Sequence, residues 1–126
     1  MKKLLLLLFC MPFIFLSSCD DSDDNNQIVC TLEVRAGLNV TVSLDAMSSI
    51  TGEGVMVVAT DGTYSETLEY VDINNPVFSG AYERQGTYII TVSKDGYQTY
   101  TSAPITVTAD VCHVIPQQVH VVLQSN

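Results

Sequence analysis

Two histidines, His113 and His120, are the natural candidates for proton transfer near neutrality in this chain of 126 residues. Nucleophilic catalysis would need one of them beside a serine, threonine or cysteine and oriented by a carboxylate. The sequence has no G-x-S-x-G elbow, and Ser79-Gly80 reads as a bulge at a strand end. His120 sits in Val119-His120-Val121, where its neighbours face the other way, and His113 directly follows Cys112. Both are expected as surface histidines on strands. Glu66 and Glu69 are separated by an odd number of positions, which on a strand puts them on opposite faces and disfavours a paired-carboxylate glycosidase site. H-E-x-x-H, an EF-hand loop and a phosphate-cradling glycine loop are all missing from the sequence. The six tyrosines suit strands and core packing. Tyr97 and Tyr100, at odd spacing, cannot both face inward, which leaves one for a ligand-facing surface. No catalytic residue, metal site or cofactor is expected.

The cysteines are more informative, and their meaning depends on the N-terminus. Met1-Lys2-Lys3 and the apolar run Leu4 to Leu16 have the basic start and short greasy core of a secretory signal peptide. The run holds 13 residues and is interrupted by Pro12. Spanning a bilayer takes ~20 apolar residues. Leu16-Ser17-Ser18-Cys19 resembles the lipobox of a bacterial lipoprotein signal. That resemblance implies cleavage before Cys19, lipidation of Cys19, and a membrane anchor made of acyl chains. It divides the chain into a signal peptide (1–18), a lipidated cysteine with a flexible tether (19–27) and one domain (28–126). Cys10 leaves with the leader and Cys19 is committed to lipid. Cys30 and Cys112 then remain in an exported chain, where disulfides persist, and one intramolecular bond is expected between them. A loop that long is worth ~4 kcal/mol in the chain-entropy model. Zinc sites use close pairs such as C-x₂-C, whereas these cysteines are 82 positions apart. Adjacent Cys112 and His113 on a strand would also point to opposite faces, against joint ligation.

Without the leader the basic residues are Arg35, Arg84 and Lys94 against 14 acids, a net charge of −11 from Cys19 onward. A surface of that sign excludes nucleic acid, which needs clustered Lys and Arg. It also has no basic patch for acidic headgroups, so membrane attachment falls to the acyl chains. Asp20 to Gln27 carries four acids and no apolar residue. Such a segment cannot bury enough surface to offset its ordering entropy. It also resembles the acidic sorting stretch of some surface-displayed lipoproteins. The reading of sorting signal or plain linker stays open.

The body from Ile28 to Asn126 has the length of one domain, 99 residues. Leu38, Val40, Val42 and Leu44 alternate with polar residues, the period-two pattern of a half-buried strand. Val55 to Thr60, Asp61-Gly62 and Thr63 to Leu68 read as a hairpin, with Asp and Gly accepting the positive φ of its turn. Val77 to Tyr82, Gly86 to Val92, Tyr97 to Ser102, Ile105 to Thr108 and Val119 to Leu123 complete a set of about seven strands. An all-β sandwich is expected.

Gly86-Thr87-Tyr88-Ile89-Ile90-Thr91-Val92-Ser93-Lys94-Asp95-Gly96-Tyr97 resembles the G-x-Y-x-x-x-V-x-x-x-G-Y signature of carboxypeptidase regulatory-like domains. The resemblance covers roughly Leu38 to Leu123. It implies a transthyretin-like (prealbumin-like) seven-stranded sandwich, with Gly86 and Gly96 at turns, Tyr88 packed inward and Tyr97 opening the next strand. It implies a folding or interaction module and no activity. The enzyme branch of that fold, the 5-hydroxyisourate hydrolases, ends in Tyr-Arg-Gly-Ser, whereas this chain ends Val122-Leu123-Gln124-Ser125-Asn126. The expected function is therefore that of a noncatalytic, lipid-anchored module of the cell envelope. Its expected address is the outer membrane, at the periplasmic face or the cell surface, and its expected partner an envelope protein. The alternatives are a lipoprotein that captures a glycan or peptide and, more remotely, a small hydrolase.

Overall fold

The computed structural model describes residues 27–45 and 49–126. The signal peptide, Cys19 and the tether up to Asn26 lie outside the described residues. Eight strands follow in order: β1 (Ala36–Leu44), β2 (Met56–Asp61), β3 (Tyr64–Leu68), β4 (Phe78–Tyr82), β5 (Gly86–Ser93), β6 (Tyr100–Thr101), β7 (Ile105–Val107) and β8 (Gln117–Leu123). They form a β-sandwich. One sheet has the order β4-β1-β8, and the other the order β3-β2-β5-β6 with β7 also paired to β5.

β1 is the central strand of the smaller sheet. It runs antiparallel to β4, with Val40 opposite Phe78, and parallel to β8, with Val40 opposite Val119. Parallel neighbours cannot be joined by a tight turn. Here the whole second sheet is the crossover between them. The alternation read from β1 is realised: Leu38, Val40 and Val42 are fully buried. They meet Val57 and Ala59 of β2, Leu68 of β3, and Tyr88, Ile90 and Val92 of β5 in one apolar cluster with Val121 and Leu123 of β8.

Several local expectations shift. The β2–β3 hairpin closes on the pair Asp61–Tyr64, so its loop is Gly62-Thr63 and not Asp61-Gly62. Gly62 takes φ +58 at the first central position, where a type II′ turn calls for glycine. Asp61 is the last residue of β2, and its carboxylate meets Arg84 at 3.0 Å. Gly86 is not a turn residue but the first residue of β5. A Cβ there would collide with the Asp61 carboxylate, so the glycine makes room for that ion pair. Gly80 is not a bulge either, since it stands in regular register opposite Leu38.

The strand expected over Tyr97 to Ser102 is only two residues long. Ser102 ends it: its hydroxyl accepts the Ile90 N–H at 2.8 Å, in place of a backbone carbonyl, while its own N–H donates to the Ile90 carbonyl at 2.9 Å. Pro104, with no N–H to offer a ladder, precedes the resumption of pairing as β7. Tyr97 consequently sits in a turn and makes one isolated bridge, to Ser125. It packs on the core while Tyr100 stays exposed.

The sandwich has two ends. The segment before β1, the β2–β3 turn, the β4–β5 turn and the β7–β8 loop lie at one, here the disulfide end. The β1–β2, β3–β4 and β5–β6 loops and the C-terminus lie at the other, here the Tyr70 end. Packing between the sheets is tight where β3 meets β4. A Cβ on Gly80 would stand 2.8 Å from Leu68 Cγ and 2.9 Å from Glu66 Oε1. Gly80→Ala is therefore expected to lower the unfolding free energy by about 1–3 kcal/mol through overpacking. Denaturant unfolding checks this as a lower midpoint at unchanged slope.

Candidate functional site

Cys30 and Cys112 are bonded, with Cα atoms 5.3 Å apart. The bond ties the segment before β1 to the β7–β8 loop. That loop is built by Asp110, whose Oδ1 accepts the N–H groups of Cys112 at 2.8 Å and His113 at 2.9 Å. The Asp110 N–H in turn donates to the His113 carbonyl at 2.9 Å. Cys112 and His113 thus lie in a turn and not on a strand, so the opposite-face expectation for them does not hold. Two backbone N–H groups favour the charged form of the Asp110 carboxyl and hold it below its ordinary range.

His113 departs from expectation in another way. It is 9% exposed, not a surface residue. Its Nδ1 lies 2.8 Å from Glu83 Oε1 and its Nε2 lies 3.0 Å from the Thr31 hydroxyl. A carboxylate only accepts, so in the neutral ring Nδ1–H donates to Glu83 and Nε2 accepts from Thr31. Glu83 Oε1 also accepts the Arg35 N–H at 2.8 Å, and its Oε2 accepts the Val114 N–H at 3.1 Å. The Glu83 N–H reaches back to the Arg35 carbonyl at 2.9 Å. One carboxylate therefore joins the segment before β1, the β4–β5 turn and the β7–β8 loop. Its pKa is lowered, first by the Arg35 N–H and then by His113 and Val114.

Thr31, His113 and Glu83 have the connectivity of nucleophile, base and orienting acid, beside an open hollow of about 390 Å³. Acyl transfer also needs N–H donors free to receive a developing oxyanion. The N–H groups of Arg35, Cys112, His113 and Val114 already donate to the two carboxylates. Glu83 and the disulfide cross-link the segment before β1 to the β7–β8 loop, and Glu83 adds the β4–β5 turn.

A second polar cluster closes the same end. The Arg84 guanidinium stacks 3.7 Å above the Tyr64 ring and bonds the Tyr88 hydroxyl at 2.8 Å as well as Asp61. Tyr64 donates to Glu66 Oε2 at 2.8 Å, and the same oxygen accepts the Ala81 N–H at 2.8 Å. Donation to a carboxylate pushes the Tyr64 phenol up from its ordinary value. Glu66 faces inward toward β4 while Glu69 is exposed, as their odd spacing requires. His120, on exposed β8, bonds the hydroxyls of Thr41 at 2.9 Å and Ser43 at 3.1 Å across the parallel pair.

At the Tyr70 end the surface is different. The Tyr70 ring meets Phe78 edge-on, with centroids 5.0 Å apart, and lies over Gly52. A Cβ on Gly52 would stand 2.5 Å from Tyr70 Cε1 and 2.9 Å from Pro76 Cβ, so only glycine admits the ring there. On either side of Tyr70 is a hollow. One, of about 340 Å³, is lined by Ile50, Gly52, Glu53, Ile73 and Pro76. The other, of about 280 Å³, is lined by Val55, Met56, Glu69 and Phe78 among others.

Among the described residues no group of three or more His, Cys, Asp or Glu side chains converges as a metal site. No protein-family model matches the chain, and no curated protein matches it.

Replacing both Cys30 and Cys112 by alanine is expected to lower the unfolding free energy by about 4 kcal/mol. Denaturant titration of the two forms checks it. A second outcome follows from Glu83. Its folded-state pKa is depressed, so it stabilises the fold above the ordinary carboxylate pKa of 4.5. That stabilisation is lost as pH falls through the folded-state value. Glu83→Gln is expected to be less stable than the parent at pH 7, with the gap closing below pH 4.5. Melting curves for both proteins across that range read it directly.

Proposed function

We propose that this chain is a noncatalytic, lipid-anchored module of the cell envelope that serves a structural or protein-interaction role. It is a carboxypeptidase regulatory-like, transthyretin-like sandwich carried by the lipid on Cys19 at the outer membrane. The polarity of the sandwich is the observation that supports this reading. The residue first described, Gln27, enters at the disulfide end, where Cys30–Cys112, Glu83 and Arg84 fasten every loop. While Val29 (85%) and Leu32 (101%) stand open at the disulfide end, the opposite end carries loops with exposed Val71 (102%) and Ile73 (80%). A module held by its N-terminus would present that end away from the membrane.

The alternative is capture of a glycan or peptide, and the Tyr70 hollows favour it over a purely structural role. The hydrolase reading rests on the connectivity of Thr31, His113 and Glu83, where the N–H groups of Arg35, Cys112, His113 and Val114 are already taken by carboxylates.

The anchor is tested in the expressing cell. Metabolic labelling with an alkynyl palmitate is expected to mark the wild-type chain, and Cys19→Ser is expected to lose the label and leave the membrane fraction. A labelled Cys19→Ser variant, or an unlabelled wild type, overturns the anchored reading.

A further inference from the structure

The two hollows share the Tyr70 ring as a common wall and together make up the Tyr70 groove, with a glutamate in the lining of each. Glu53 lines one hollow and Glu69 the other. Asp72 lies between Tyr70 and Ile73, with its Oδ1 accepting the Asn74 N–H at 2.9 Å. Lys94 is the cation of this end among the described residues, and its ammonium donates to the Glu53 carbonyl at 2.6 Å. Arg35 and Arg84 both belong to the disulfide end, paired with Glu33 and Asp61. The groove therefore combines aliphatic side chains with two lining carboxylates, and Lys94 beside the Glu53 carbonyl is the one cation near them among the described residues.

Its walls also distinguish between ligands. A sugar ring would need flat aromatic faces and polar partners for its hydroxyls. The Tyr70 ring is instead committed to Phe78 and Gly52, and Ile50, Ile73 and Met56 present aliphatic surface. Met56 is 53% exposed and Ile73 80%, an apolar area that water leaves readily. An extended peptide alternating aliphatic and cationic residues satisfies both features. Its apolar side chains enter the hollows and its ammonium or guanidinium groups reach the rim carboxylates.

We propose that the Tyr70 groove binds an extended segment of a partner protein in which aliphatic residues alternate with lysine or arginine. This rests on the interaction-module reading and names its partner chemistry. The experiment is a fluorescence-anisotropy titration of the purified chain, in mild detergent, with a labelled hexapeptide alternating leucine and lysine. The comparison ligands are hexapeptides alternating leucine with glutamate and serine with lysine, and a β-1,4-linked N-acetylglucosamine hexamer.

Saturable binding of the leucine–lysine peptide alone is expected, weakening as salt is raised. Ile73→Ser and Glu69→Gln, both at exposed side chains, are each expected to weaken it about fivefold, the size of a ~1 kcal/mol loss. Tyr70→Ser is expected to abolish it, and the two exposed variants decide the matter should that substitution unfold the domain. Equal binding of the serine–lysine peptide, binding of the glycan, absence of binding, or indifference to Ile73→Ser each overturns the proposal. The titration reads the groove whether or not Cys19 carries lipid, so its outcome is separate from that of the palmitate experiment.

Discussion

β1 is the strand on which the rest of the molecule depends. It is paired along both edges, and its inward side chains Leu38, Val40 and Val42 are fully buried against the opposite sheet. Its parallel partner β8 is the last strand of the chain, so this central pairing closes only after all other strands exist. Closing so long a loop costs conformational entropy before any ladder bond compensates it. The disulfide acts on that cost. Cys30 lies just before β1 and Cys112 just before β8, so the bond brings together the two strand starts whose register must match. Glu83 repeats the restraint without covalency, reaching Arg35 on the β1 side and His113 and Val114 on the β8 side.

This explains why polar chemistry gathers at one end. A carboxylate taking three N–H donors and a buried histidine is what catalytic sites also look like, because both need a fixed carboxylate and a fixed imidazole tautomer. At the disulfide end the neighbouring backbone N–H groups are engaged by Glu83 and Asp110. Fixation there holds strands. The Tyr70 end is tied mainly by backbone bonds, such as Thr51 N–H to the Val42 carbonyl and Gln98 N–H to the Gln124 carbonyl, and apolar side chains stand open at both ends.

The sequence made the strands legible wherever one face is buried. The alternation in β1 and the Tyr88, Ile90, Val92 face of β5 needed only period two. The hairpin turn was visible within one residue, since the closing pair is Asp61–Tyr64, and the Arg84 partner of Asp61, 23 positions away, leaves no local trace. The end of β6 was hidden for a similar reason, since a serine hydroxyl standing in for a carbonyl leaves no periodic trace. His113 was misread as a surface residue because the Asp110 turn takes it off any strand and its carboxylate partner is 30 positions distant. The Tyr70 groove had no pattern to find. It depends on one glycine, Gly52, lying beneath a ring 18 positions later. Asp110 preceding Cys112 by two was the one local cue to a turn, since aspartate readily caps the backbone two residues on.

The charge distribution follows the same division. Each described cation is already engaged: Arg35 by Glu33, Arg84 by Asp61, Lys94 by the Glu53 carbonyl. The remaining acids are therefore uncompensated over most of the surface. Such a field discriminates more than it attracts, because an anionic partner meets like charge at every approach while only a cationic one gains. Apolar side chains at the Tyr70 end supply contact area but no preference among aliphatic ligands. For the proposed cationic peptide, selectivity would come from Glu53 and Glu69 in the linings of the hollows, where charge and apolar burial would act on the same short stretch of chain. With both arginines engaged at the disulfide end, that surface stays open, since neither is paired with Glu69 or Asp72.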